Sequence, residues 1–234
     1  MKLHLNMLNK SILAGMAVMM VTGSAFAGSI TGSKHDMSWE TWNGGDLNTQ
    51  VQGQICNVCH APHNGANAAV GPLWNHDTPT STYTMYTSPL NTLDGAMVDT
   101  APSGASFLCL SCHDGSVALN AFGGQTGGNN MAYIGAQYRL GSDLSNDHPI
   151  GVEYTDTSAG ADGELRIPSD TNDQVIIGSG GDTKQGPVGV VMLDNATTVQ
   201  CSSCHDVHNH YTSGDKFLKV TKTGSQICLA CHKK

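Results

Sequence analysis

The chain has 234 residues, with 11 Lys plus Arg against 19 Asp plus Glu and a formal charge of −8. That balance excludes a partner held by phosphate contacts, so nucleic acid is not expected. Aromatic residues make up 6% and glycine counts 28, which excludes an ordinary side-chain core of domain size: either the chain orders poorly, or something other than side chains supplies the buried apolar mass.

Residues 1–27, MKLHLNMLNKSILAGMAVMMVTGSAFA, begin with Lys2 and Lys10, run through an apolar stretch from Ile12 to Val21 and end on the small residues Ala25 and Ala27. This is the pattern of a secretory signal peptide, with cleavage expected before Gly28. The apolar run is shorter than the roughly 20 residues a bilayer span needs, so no membrane anchor is expected. Cleavage removes Lys2, Lys10 and Phe26, leaving an exported remainder, 28–234, that is more acidic still.

CNVCHAPHNG, 56–65, sets Cys56 and Cys59 one helical turn apart, with His60 directly after and His63 three residues on. CLSCH follows at 109–113 with Cys109, Cys112 and His113. The stretch AFGGQTGGNN reads as a loop, and MAYIGAQYRL and SDLSND lead to His148 in DHPIG. The β-leaning runs QVIIGS (174–179) and VGVVML (188–193), separated by GGDTKQGP, read as a hairpin. CSSCH at 201–205 (Cys201, Cys204, His205) and CLACH at 228–232 (Cys228, Cys231, His232) complete the set.

All eight cysteines fall into these pairs, and each pair is followed by a histidine. An exported chain with an even cysteine count would ordinarily be read as disulfide-bonded, but disulfides give no reason for the histidines. A zinc site would want two pairs sharing one ion, and a redox-active CxxC would want a thioredoxin-like βαβ context. Covalent haem c attachment accounts for the whole pattern. Two thiols at i and i+3 lie on one side of a turn and each adds to a haem vinyl group, while the next imidazole reaches the iron as the proximal ligand. The expectation is four covalently bound haem c groups with iron on His60, His113, His205 and His232. The porphyrins would supply the missing apolar mass, so the predicted fold is mostly irregular coil wrapped around a four-haem stack, with short helices at each CxxCH and a few β-strands.

The halves CNVCHAPHNG…FLCLSCH and CSSCHDVHNH…FLKVTKTGSQICLACH share the order CxxCHxxHN, Phe-Leu, CxxCH. This weak repeat predicts one domain, 28–234, built from two paired-haem units at about 28–120 and 195–234, with the loop and hairpin inserted between them.

The sixth coordination position decides between carrier and enzyme. Met37, Met85, Met97, Met131 and Met192 show no haem-related pattern, whereas His35, His63, His76, His148, His208 and His210 remain beyond the proximal four. The distal candidates are His35, His63, His76, His148 and His208. A solvent-exposed side chain is the alternative for each, strongest for His210 and then for His76 or His35. A histidine three residues past the proximal one points away from its own haem's proximal face, so His63 and His208 should serve other haems. His148, its backbone restrained by Pro149, is expected to serve a haem of its own subunit, the third.

GSKHDMS, CNVCHAPHN, GPLWNH, FLCLSCHDGS, NDHPIGVEY, CSSCHDVHN and FLKVTKTGSQICLACH together resemble the doubled-CXXCH family of multihaem cytochromes. More narrowly they resemble its tetrahaem members that polymerise into extracellular cytochrome nanowires (OmcE-like). The resemblance implies that His208 binds the fourth haem, and that His63 binds the second haem or one in another subunit. It also implies head-to-tail filaments of identical subunits at the cell surface or outside it, passing electrons to other redox proteins or extracellular acceptors. His63 and His35 lead the candidates for a ligand donated across the subunit interface, with His76 behind. A monomeric periplasmic shuttle is the alternative. A multihaem enzyme is not expected, because two imidazoles per iron leave no open position for substrate.

Overall fold

The computed structural model describes residues 30–38, 53–65, 67, 70–71, 73–87, 98–125, 132–161, 163–213 and 215–233. The signal segment lies outside them, as do Met97, Met131 and part of the Gly-rich loop. Most of the described chain is coil, as the composition predicts, with short helices and two small antiparallel sheets. Among the described residues, no helix is long and apolar enough to cross a membrane.

The longest helix among the described residues, α1 (Gly104–His113), carries the second motif. It starts after Ser103, whose extended backbone lets the first turn form, and buries Ser106, Leu110 and Ser111. Farther on, β1 (Val152–Glu153), α2 (Asp156–Gly160), the hairpin strands β2 (Gln174–Ser179) and β3 (Asp182–Pro187), α3 (Val188–Val191), β4 (Thr198–Val199), α4 (Cys201–Cys204) and α5 (Gln226–Leu229) follow in order. β1 pairs with β4 through Val152↔Val199 and Glu153↔Thr198. β2 pairs with β3 from Gln174↔Pro187 to Ser179↔Asp182.

The hairpin is present, but its second strand is not VGVVML. Gly180 and Gly181 form a two-residue connection, so the register closes on DTKQGP, and the polar run expected as a loop becomes β3. Pro187 then fixes the start of α3. Val188 (0% exposed), Val191 and Met192 fall at helical spacing on one buried face. A flat strand would have sent alternate members of this run to solvent; the turn buries more of them.

The expected helix at the first motif is also absent. Residues 55–59 form turns only, because after one turn His60 leaves for an antiparallel bridge with Trp74 and the Ala61 N–H donates to the Leu73 carbonyl at 3.0 Å. The repeat is nonetheless visible in the backbone. His205 makes the equivalent bridge to Leu218, and Asn64 (φ 54) and Asn209 (φ 59) take the left-handed conformation at matching positions.

Among the described residues, three small cores replace one large one. Tyr154, Val175, Ile177, Val188 and Met192 belong to a C-terminal cluster that packs on Cys231. Met37, Val58, Leu119, Phe122 and Ile134 belong to an N-terminal cluster packed on Cys59 and Cys112, and Met85, Leu110 and Leu144 form the third. Two of the three therefore abut cysteines of the CxxCH pairs.

Gly178 has φ 84, and a Cβ there would lie 2.1 Å from the Asp182 carbonyl oxygen, whereas a Cβ at Gly181 meets nothing within 4 Å. Gly178→Ala should lower the unfolding free energy by about 1–3 kcal/mol, read as a drop in Tm. Gly181→Ala should stay within about 0.5 kcal/mol of the parent.

Candidate functional site

Each CxxCH closes a single turn whose last N–H returns to the first cysteine. The His60 N–H donates to the Cys56 carbonyl at 2.8 Å, His205 to Cys201 at 3.0 Å and His232 to Cys228 at 2.9 Å; the second motif lies within α1. This bond places both thiols of a pair on one side of the turn and sends the imidazole off its end. His113 Nδ1 lies 3.0 Å from the Tyr138 carbonyl oxygen and His205 Nδ1 lies 2.7 Å from that of Lys216. A carbonyl only accepts, so Nδ1 carries the hydrogen and Nε2 keeps its lone pair, the state an iron ligand requires.

The four turns succeed one another in space in chain order. Burial pushes the Cys59 thiol up to about 11, and burial followed by the charges of Cys59 and Asp114 raises Cys112 further. A hydrogen bond to Cys201, then burial, raises Cys109, which joins the second site to the third. Ser106 reinforces that joint: its Oγ accepts the Cys201 N–H at 3.0 Å, and its own N–H donates to Gln200 Oε1 at 3.3 Å. Burial raises Cys204, and burial with the charge of Cys204 pushes Cys231 up to about 12, linking the third site to the fourth. Cys59, Cys109, Cys112, Cys204 and Cys231 are thus held towards the neutral thiol, which suits addition to a hydrophobic macrocycle, whereas the hydrogen bond with Cys109 lowers Cys201. Cys56 and Cys228 are exposed, and a concavity of ≈ 330 Å³ opens beside Cys56 and His60. Among the described residues, no three or more His, Cys, Asp or Glu side chains gather where one metal ion could be held between them.

The distal candidates divide by environment. His35 is held at a pKa of about 4, first by burial and then by the nearby His113. Its ring hydrogen-bonds to the Val207 backbone, stacks on Phe217 at 4.7 Å, and lies 6.2 Å, centroid to centroid, from the His113 ring. His208 is exposed, with its ring 6.4 Å from that of His60 and 20° from parallel. His76 is fully buried, with Nδ1 2.8 Å from the Asp77 carbonyl oxygen and Nε2 3.7 Å from Cys112 Sγ, and burial lowers its pKa. His148 is exposed, with Nδ1 3.1 Å from the Pro149 carbonyl oxygen, and its neighbour Asp147 is close enough for its charge to act on Cys201 of the third site. His63 is exposed, its Nδ1 3.4 Å from Asn64 Nδ2. His210 stacks on Tyr211 at 4.1 Å.

Sequence order and spacing favoured His63, His148 and His208 over His35 and His76, yet those three are exposed, while His76 is fully buried and His35 partly buried. The signal that could have promoted them is their company: His76 follows the apolar LW of GPLWNH, and His35 precedes Met37, which is 6% exposed. The ring of His208, which the resemblance assigns to the fourth haem, lies beside the proximal histidine of the first motif. Asp206 shapes that excursion. Its carboxylate accepts the backbone N–H groups of His208 (3.1 Å), His210 (3.1 Å) and Tyr211 (2.8 Å).

Residues 195–234 match the family model described as Doubled CXXCH motif, a span that contains the third and fourth motifs. No curated protein matches the chain. The match supports a multihaem c-type cytochrome, a haem-binding electron-transfer protein whose CXXCH motifs hold haem c covalently. The thiols of Cys59, Cys112, Cys204 and Cys231, raised by burial, and the imidazoles of His113 and His205, tied at Nδ1, fit that group.

Asp206→Ala removes the acceptor for three backbone donors. It should cost about 1–3 kcal/mol, measured as a lower midpoint in denaturant unfolding.

Proposed function

We propose that the chain carries electrons through four haem c groups, each held by two histidines, as the repeating subunit of an extracellular filament. The carrying observation is the spacing of two imidazole pairs, His35 with His113 at 6.2 Å and His60 with His208 at 6.4 Å. Metal–nitrogen bonds to imidazole are about 2 Å, so two imidazoles on opposite sides of one metal place their ring centroids roughly 6 Å apart. His35 and His113 are therefore assigned to the second haem, and His60 and His208 to the first. His148 goes to the third, because of Asp147 beside Cys201. Haem iron so ligated supplies one-electron transfer at low potential.

The chain's own residues do the rest. Cysteine pairs in chain order fix the succession of groups, the Nδ1 tethers hold the ligands in place, and two imidazoles per iron deny it to substrate, which makes the protein a carrier and not an enzyme. His35 serves its own subunit, which leaves exposed His63 as the ligand offered to a neighbour. The exposed apolar residues Val70 and Leu73 (42% and 44%) follow that loop in the chain and would give the neighbour a surface to cover. A heterologous contact that does not close builds an open helix from one interface. Export through the 1–27 signal would place the filament outside the cell.

The mature protein should weigh as residues 28–234 plus four haems, with no free thiol after denaturation; a lower haem count overturns the assignment. His35→Ala and His208→Ala should each convert one haem of the four to a high-spin, CO-binding form. His63→Ala should abolish filaments seen by negative-stain microscopy of material sheared from cells. Wild-type protein that stays monomeric at high concentration would return the function to a periplasmic shuttle.

A further inference from the structure

The segment His113-Asp114-Gly115-Ser116 holds a charge that the ligand set does not use. Asp114 is 8% exposed. Its Oδ1 accepts from the Ser116 N–H at 2.7 Å and from Ser116 Oγ at 2.8 Å. Its Oδ2 accepts from Ser81 Oγ at 2.9 Å, from the Tyr83 hydroxyl at 2.8 Å and also from Ser116 Oγ at 2.8 Å. Gly115, with φ +79, makes the tight turn that brings the Ser116 N–H back. These donors are all uncharged, so they disperse the negative charge without cancelling it. Arg139 crosses Gly115, where a Cβ would meet its Cδ at 2.7 Å. Its Nε–H is given to the Ile134 carbonyl at 2.8 Å, and its guanidinium lies 5.9 Å over the Tyr133 ring.

The position after the proximal histidine differs at the other three motifs. It is Ala61 at the first and Asp206, only half-buried, at the third. At the fourth it is exposed Lys233, whose Nζ lies 3.6 Å from Asp173. The second motif alone pairs its ligand with a buried carboxylate.

Resting on the haem-binding function proposed above, we infer that Asp114 sets the potential of the second haem and makes it the lowest of the four. Reduction adds one electron and makes or breaks no bond, so the site becomes one unit more negative. A fixed negative charge next to the ligand His113 opposes that change, and burial keeps water from screening it. Carboxylate at the half-exposed Asp206 has the same sign and a smaller effect; Lys233 has the opposite sign.

The test is spectroelectrochemical titration of the haem-loaded protein, with electrons supplied through redox mediators. Asp114→Asn should raise one midpoint potential, shifting the lowest wave upwards, while all haems stay low-spin. Tyr83→Phe removes a tether to the same carboxylate but keeps its charge, so it should raise no potential. Ala61→Asp adds a carboxylate at the first motif and should lower a different wave, a result that does not depend on Asp114→Asn folding. Unchanged potentials in Asp114→Asn, an equal rise in Tyr83→Phe, or no fall in Ala61→Asp would each overturn the proposal. A wild-type protein with fewer than four haems by mass, or with an open coordination position by CO binding, would instead overturn the haem assignment beneath it.

Discussion

A ring nitrogen facing a main-chain carbonyl must carry hydrogen, and it thereby fixes both the tautomer and the direction of its imidazole. That bond recurs at Nδ1 of His76, His113, His148 and His205. Much of what surrounds these histidines is arranged to supply the carbonyl. The turn at Ala136–Tyr138 presents one to His113, and the left-handed Lys216 presents one to His205. A chain with few helices and strands can still be specific in this way, because its irregular backbone is aimed at ring nitrogens.

The same economy explains the cores. Each is small, and two of them end on cysteines of the CxxCH motifs. Side-chain packing alone is thin for a chain of this length, and haem bound at the thiols would add apolar mass where the clusters end. The raised thiol pKa values of Cys59, Cys112 and Cys231 come first from burial, a sign that these sulfurs already face apolar surroundings.

Attachment chemistry was legible in the sequence because it depends on local spacing: two thiols at i and i+3 and an imidazole at i+4 need only one turn. The internal repeat was legible for the same reason, down to the matched Asn64 and Asn209. The hairpin was half legible. QVIIGS forms a strand, but β propensity could not show that the Gly180–Gly181 turn would recruit DTKQGP and free VGVVML to pack as a helical turn. Which imidazoles come to face one another was the least legible part, since it joins residues far apart in the chain. His35 reaches His113 while its ring is bonded to the Val207 backbone, and His208, next along from Val207, reaches His60. The segment that follows the third motif thus lies close to residues of both N-terminal motifs.

The central claim is that particular imidazoles share an iron, and the most direct measurement is an experimental structure of the haem-loaded protein at a resolution that shows axial ligands. The account predicts His35 and His113 on the haem held by Cys109 and Cys112, and His60 and His208 on the haem held by Cys56 and Cys59. His208 on the fourth haem, or His35 on the iron of a neighbouring subunit, would contradict it.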